Sequence, residues 1–432
     1  MLIFKITDRP DKDSKRETFL GNTACVVSHS GLHRTESSLI EQIPSVGNPP
    51  SQVLVTGSRT GTLAMVLARH WPSVRVTCHA LDIHHAKTIE RNLASNNVKG
   101  ITVVCSPMLP QGPYDVAFFS GTDTSTPAEL ILDQMEDLHE QLLPGGVCWI
   151  AYEGDTRSLQ KQIHQIFGHL MTEVDQRGFI CGSARKTRPL EKRRSFLADF
   201  KASLPGLEAI PLVSLPGVFC HRRPDMGGLA LAEVAAKETS CHLNPAPRIL
   251  DMGCGCGLVG ILLAKAYPAA TVTFVDSYSR AIEATRQNIE SIGMRNHELV
   301  LSDTGIDHGD FDLLVGNPPY YSDYRIAGLF VETAFQVLKP GGVGMLVAKS
   351  AAGLDACIKT RFDNTTVIPR RGYSVIRFAR QTAHPGGHAK SGWRKDTPVR
   401  YRSGHGIAKP DSGEDGIVDN RKVVGNAKVH RA

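Results

Sequence analysis

No stretch of this 432-residue chain stays apolar for long enough to cross a membrane as a helix. The best candidate, Leu258–Ala264, reads as a short buried helix instead, so no membrane partner is expected. The opening Met-Leu-Ile-Phe-Lys runs straight into charged residues, and the apolar core of a secretion signal is missing. Ten cysteines are present, without the spacing of a disulfide framework or a zinc site. Reduced thiols, and hence a cytoplasmic protein, are the expectation. The histidines, His84 and His85 included, lack ligand spacing too, so they are read as surface residues and no metal is expected. A pervasive positive charge is also absent. The net charge is +6, and residues 381–432 hold 10 Lys/Arg against 5 Asp/Glu, which is +5 and leaves about +1 for the rest. Bulk basicity is therefore no argument for a nucleic-acid partner. One internal basic run, Arg185, Lys186, Arg188 and Lys192-Arg193-Arg194, suits a solvated face and an RNA contact about equally.

What the chain does have is a long internal repeat. Residues 249–257 read Ile-Leu-Asp-Met-Gly-Cys-Gly-Cys-Gly, and 196 residues earlier 53–61 read Val-Leu-Val-Thr-Gly-Ser-Arg-Thr-Gly. The same offset relates Asn288 to Asn92 and Pro340-Gly341-Gly342 to Pro144-Gly145-Gly146. Two copies of one fold are the natural reading. Each copy alternates apolar strands with helical stretches and punctuates them with glycine turns, the pattern of a doubly wound α/β sheet. The expected organisation is a degenerate substrate-binding copy over 1–185, a basic linker and hairpin over 186–214, a catalytic copy over 215–382, and a disordered basic tail over 383–432.

The copies differ where chemistry would be done. Gly253, Gly255 and Gly257 lack side chains, so a ligand can approach the backbone closely. The first copy has Arg59 at the middle position, where a long side chain is expected to fill the ligand's space. Asp251 becomes Val55, and Asp276 becomes Ala80, with Asp82 nearby as a possible substitute after a local slip. The first copy is expected to bind no cofactor.

A glycine loop after one strand, followed by an acid at the end of the next, suits an adenosine-bearing ligand whose ribose hydroxyls Asp276 accepts. Gly255-x-Gly257-x-x-Gly260 also satisfies a dinucleotide fingerprint. Asp251 argues against that: it would repel a pyrophosphate but can bind the ammonium of a methionine moiety. So does Asn317-Pro318-Pro319-Tyr320, which hydride transfer does not need. An exocyclic amine has a delocalised lone pair. The Asn317 side-chain oxygen and the Pro318 carbonyl can accept its two N–H bonds and stabilise the charge that develops during methyl transfer. The prolines stiffen the loop, and Tyr320 offers a flat face for a flipped base. Asp303, after the third strand, suits either a contact to the adenine amine or a simple turn.

Together these residues resemble class I S-adenosylmethionine-dependent methyltransferases. More narrowly, they resemble the tandem-domain guanine-N2 ribosomal RNA methyltransferases. The likeness covers roughly 50–380 and is strongest at Leu215–Phe219, Asp225, Gly227-Gly228, the loop Asp251–Gly257, Asp276 and the Asn-Pro-Pro tetrad. It implies two tandem Rossmann-like domains, the first degenerate and contacting RNA. It also implies S-adenosylmethionine at Gly253, Gly255, Asp276 and Asp303, and an amine held by Asn317, Pro318 and Tyr320. A ribosomal RNA or subunit partner and a monomeric chain are the corresponding expectations. Tyr320 departs from the family's usual Phe and leaves adenine N6 or a protein glutamine amide open as acceptors, and a non-catalytic RNA-binding factor is the remaining alternative.

Overall fold

The computed structural model describes residues 15–19, 23–27, 32–122, 126–154, 157–174, 178–239, 245–319 and 324–381. The tail expected to be disordered lies outside the described residues, as does Tyr320.

A small hairpin, β1 (Lys15–Phe19) and β2 (Thr23–Val27), and the helix α1 (Arg34–Glu41) precede the first large sheet. Its strands are β3 (Gln52–Thr56), β4 (Arg75–Ala80), β5 (Ile101–Cys105), β6 (Tyr114–Thr122), β7 (Leu142–Glu153), β8 (Gly168–Val174) and β9 (Phe179–Lys186). Helices α2 (Thr62–His70), α3 (Ile83–Ser95), α4 (Ala128–Gln141) and α5 (Arg157–Phe167) connect them. A second hairpin, β10 (Ala198–Ala202) and β11 (Ile210–Ser214), leads to α6 (Met226–Thr239).

The second large sheet holds β12 (Arg248–Met252), β13 (Thr271–Asp276), β14 (His297–Leu301), β15 (Phe311–Gly316), β16 (Leu338–Ala348), β17 (Thr365–Arg370) and β18 (Tyr373–Ala379). Its helices are α7 (Leu258–Ala266), α8 (Ser279–Ser291), α9 (Arg325–Val337) and α10 (Ala351–Ile358).

The spatial orders are β5-β4-β3-β6-β7-β9-β8 and β14-β13-β12-β15-β16-β18-β17, the same arrangement twice. In each sheet five strands run parallel and the last two pair antiparallel. These are two tandem doubly wound sheets of one design. Central strands are buried on both faces, as β15 is throughout, which is why they read as unbroken apolar runs. The strand order reverses beside β3 and β12, so each sheet opens a crevice at the carboxyl end of that strand.

Side-chain anchors repeat as well. Asn92 donates to the Thr60 carbonyl at 2.9 Å and Asn288 to the equivalent Cys256 carbonyl at 2.8 Å, each tying a helix to its glycine loop. Asp115 and Asp312 each accept backbone N–H groups at the start of the sheet's first strand.

The halves pack face to face through equivalent residues. Ile83 N–H donates to the Ser277 carbonyl at 2.9 Å, and Ser279 N–H donates to the Leu81 carbonyl at 2.8 Å. Asp82 and Tyr278 form the bridge between them. Under the 196-residue offset these are three matched pairs, so the contact is isologous, like that of a symmetric dimer joined into one chain. Arg280, fully buried, crosses it to Asp133 at 2.6 Å. Residues 1–383 accordingly cluster as one compact unit.

Three sequence expectations change here. Asp82 does not replace the lost acid of its own half: it accepts from Ser277 Oγ of the other at 2.9 Å and caps α3. Not all histidines are superficial, because His79 is fully buried between Thr56 and the Ser106 carbonyl. The internal basic run is only partly open: Arg185, Arg188 and Lys192 are exposed, whereas its last two arginines have acidic partners. Arg193 and Arg194 are paired with Asp137, Glu140 and Glu136 on α4, and Arg185 and Lys186, at the end of β9, donate to backbone carbonyls.

Candidate active site

The second crevice opens into a cavity of about 930 Å³ at the carboxyl ends of β12, β13 and β15. Gly253, Gly255 and Gly257 turn the chain from β12 into α7 with φ of 69°, 58° and 82°, a left-handed path that favours glycine. A Cβ on Gly255 would meet nothing nearer than Val218 at 4.0 Å, so open space lies beyond the loop. On Gly257 it would come within 2.9 Å of Thr285, so that glycine serves packing.

Asp251 ends β12 almost fully buried, and one oxygen accepts the Gly260 N–H of α7 at 2.8 Å. Burial pushes its carboxyl up to about 7, against that hydrogen bond and with a further push from the charge of Asp276. Asp276 accepts from the Gly255 N–H and the Tyr278 N–H, both at 2.9 Å. Burial raises it to about 6 despite these bonds. Two desolvated carboxyls thus face one cavity, and a ligand bringing an ammonium and hydroxyl donors would stabilise their ionised forms. The free thiols of Cys254 and Cys256 are pushed far up by burial and belong to the packing.

Asn317 and Pro318 follow β15 and line the same cavity. The Asn317 Nδ2 donates to Asp225 Oδ2 at 2.6 Å. A carboxylate only accepts, so this bond fixes which end of the amide is which and assigns Oδ1 as the acceptor. Asp225 itself accepts from the N–H groups of Gly227 and Gly228 at 3.0 and 2.8 Å, capping α6. The Gly-Gly pair is required by this approach: a Cβ on Gly227 would lie 3.2 Å from Asn317 Nδ2.

Asp303 also lines the cavity, but it is no simple turn former. Its oxygens take Lys87 Nζ at 2.5 Å and His84 Nδ1 at 3.0 Å, both from the first half. These bonds hold its carboxyl well below the usual carboxylate range.

The structure therefore brings together Asp251, Gly253, Gly255, Asp276, Asp303, Asn317 and Pro318. Sequence reasoning missed the contribution of Asp82, His84 and His85, which line the cavity from the other half. It also missed Phe200 on β10 and gave no role to Phe219, 70% exposed at the rim, although its motif carried the resemblance. Only the repeat offset pointed that way, by aligning His84 with Arg280 at the interface.

The first crevice is closed, though not by Arg59, which is exposed. Glu36 of α1 is buried over the loop and accepts from Ser58 Oγ at 2.6 Å and the Leu63 N–H at 3.0 Å. Thr35 bonds Ser120, the counterpart of Asn317, at 2.7 Å. A Cβ on Gly57 would stand 1.8 Å from the Ser120 carbonyl oxygen, so loop and strand end are in direct contact.

Residues 209–377 match the family described as methyltransferase small domain. A ribosomal RNA small subunit methyltransferase C of Pseudomonas entomophila is 33% identical over 208 residues, 46% of this chain and 58% of the relative. A ribosomal RNA large subunit methyltransferase G of Stutzerimonas stutzeri is 26% identical over 330 residues, 74% of this chain and 84% of the relative. The chain aligns to between about two fifths and three fifths of the length of several small subunit relatives. Among solved structures, a T. thermophilus 16S rRNA N2-guanine methyltransferase, in complex with AdoMet and guanosine, superposes with a TM-score of 0.68 at 17% identity. That superposition covers 85% of this chain and 98% of the other. Residues 209–377 thus match a methyltransferase small domain, set behind a first sheet of the same strand order whose crevice is sealed.

Proposed function

We propose that the chain transfers a methyl group from S-adenosylmethionine to the exocyclic N2 of guanine in ribosomal RNA. The single observation that carries this is the Asn317 amide, pinned by Asp225 and lining the same cavity as Asp251 and Asp276. The residues present fit the donor. Asp251 suits its ammonium, Asp276 its ribose hydroxyls, and the space beyond Gly255 its passage along the loop.

When bound, S-adenosylmethionine supplies an activated methyl on a sulfonium. What the chain supplies is position. Asn317 Oδ1 and the Pro318 carbonyl accept the two hydrogens of the amine and hold its nitrogen in the direction of attack. As nitrogen becomes positive, both dipoles already point at it, so little reorganisation is needed at that moment. Because the amine proton becomes acidic only after attack, no side chain of shifted pKa is required to remove it beforehand. Phe219 at the rim supplies an aromatic face for the base. The names of the small and large subunit relatives, and the guanosine in the T. thermophilus complex, support ribosomal RNA as substrate and guanine as base.

The test is incubation with methyl-labelled S-adenosylmethionine and ribosomal RNA from cells lacking the protein, followed by nucleoside analysis. Label in N2-methylguanosine is expected. Label in N6-methyladenosine, or in protein alone, would replace the acceptor while leaving the donor site intact.

A further inference from the structure

The donor pocket is not built from the second half alone. Beyond β14 the chain turns at Ser302-Asp303, and α3 of the first half begins directly opposite. Lys87 and His84 lie on one face of that helix, three residues apart, and each takes one oxygen of Asp303. The Asp303 side chain is only 11% exposed, so the pair with Lys87 is shielded from water and stiffer than a surface ion pair. Close by, Asp82 holds Ser277, next to Asp276, and the Asp82–Tyr278 bridge fixes the two chains in register. The helix start is thus anchored at the two points where the second sheet presents acids to the cavity.

The contact is reciprocal. Arg280 is the counterpart of His84 under the repeat, and Pro107 is the counterpart of Asp303. Arg280 Nε donates to the Pro107 carbonyl at 2.9 Å, so each half reaches the same loop of the other. In the sealed half that contact meets a backbone oxygen and completes a buried interface. In the open half it meets a carboxylate on the cavity wall.

We propose that Lys87 and His84 are positioning residues of the donor site, holding Asp303 so that it selects the amino group of adenine. This rests on the reading of the cavity as an S-adenosylmethionine site. Each Asp303 oxygen retains acceptor capacity beyond the bond it makes to the first half. A carboxylate clamped at both oxygens can receive the adenine amine without first being ordered, and it rejects a purine that offers an oxygen there. The sealed half is therefore kept for what it adds to its neighbour's pocket.

Calorimetry on the full chain can test this with S-adenosylhomocysteine and S-inosylhomocysteine, which differ in the purine 6-substituent and the proton on the adjoining N1. The wild type is expected to prefer the adenosyl ligand by about tenfold or more, the scale of one charge-assisted hydrogen bond. Lys87→Met is expected to lose most of that preference, with inosyl affinity nearly unchanged, and Lys87→Arg to restore it. His84→Ala, at a largely exposed side chain that the fold tolerates losing, is expected to lower the preference by about two- to threefold. Full wild-type discrimination in folded Lys87→Met or in His84→Ala overturns the proposal. Failure of the wild type to bind S-adenosylhomocysteine at all overturns the underlying donor assignment instead.

Discussion

Gly57 and Gly253 stand at equivalent turns with φ of 82° and 69°, after equivalent strands, yet one faces a wall and the other a cavity. The wall is the Ser120 carbonyl and a buried carboxylate from α1, Glu36. The cavity is bounded by Asp251 and Asp276, which the first half has replaced by Val55 and Ala80. Glu36 restores part of what was lost, accepting an N–H near the start of α2 much as Asp251 accepts the Gly260 N–H of α7. The backbone design of the glycine loop is kept in the first half, where a local acid satisfies the helix start. Fold and function separate at the side chains that face the crevice, not in the sheet.

The contrast is sharpest at Asn317 against Ser120, and Asn317→Ala should have the largest effect. Loss of one preorganised acceptor is expected to lower kcat by about 100- to 1,000-fold. Binding of S-adenosylhomocysteine should stay near wild type, because the amide serves the acceptor side. Single-turnover kinetics with calorimetry checks both, and near-normal turnover would remove Asn317 from the mechanism.

Asp225→Ala should come next. Freed of its partner, the Asn317 amide can rotate, and a fall in kcat of about tenfold to 100-fold is expected with little change in donor affinity. The variant also loses the α6 cap, worth about 1 kcal/mol of stability. Asp225→Asn keeps an acceptor for Asn317 and should recover much of the rate. A stability loss without any change in kcat would make Asp225 a helix cap and nothing more.

Much of this was legible in the sequence. The apolar strands, the glycine loops and the 196-residue offset announce two copies of one sheet, and the tetrad marks residues that line the cavity. What was not legible depended on the packing of one copy against the other. His84 is exposed, as its sequence suggests, but nothing in its own helix shows that Asp303, 219 positions later, lies opposite. Arg59 looked like the plug because it sits inside the altered loop, whereas the plug comes from Glu36 on a preceding helix. The antiparallel strand β17 escaped notice because it is an edge strand of mostly exposed residues with no apolar alternation. The pairing of Arg193 and Arg194 could not be read from the basic run because their acids lie on α4, about fifty residues away.

The acids of the open half also predict a pH dependence of donor binding that Val55 and Ala80, their counterparts in the sealed half, cannot produce. Asp251 and Asp276, raised to about 7 and about 6 by burial, remain protonated in the free protein under conditions where an unfolded chain has ionised them. The folded state therefore binds more protons between about pH 4 and 7, and free-protein stability should fall as pH rises through that window. Donor binding has the opposite sign, since its ammonium and hydroxyls need the ionised carboxylates. Affinity for S-adenosylhomocysteine is expected to weaken by about tenfold from pH 8 to pH 6, with proton release on binding. Calorimetry in buffers of different ionisation enthalpy measures that release, and its absence would show that neither acid changes state.

The smallest expected effect concerns the sealed crevice. If Arg59 were what excludes a ligand there, Arg59→Gly should raise donor stoichiometry from one to two per chain. Arg59 is exposed, and Glu36, Thr35 and Ser120 already fill the space behind it, so the stoichiometry should remain one. Glu36→Ala goes further, because it leaves the Ser58 hydroxyl and the Leu63 N–H without the carboxylate that satisfies them. That should cost about 1–3 kcal/mol of stability. It still should not create a second donor site, since Val55 and Ala80 offer nothing to an ammonium or a ribose. Glu36→Gln, neutral and able to accept the same bonds, should stay close to wild type in a thermal melt. A second equivalent of S-adenosylhomocysteine bound by Arg59→Gly or Glu36→Ala would mean that the first half is occluded and not degenerate.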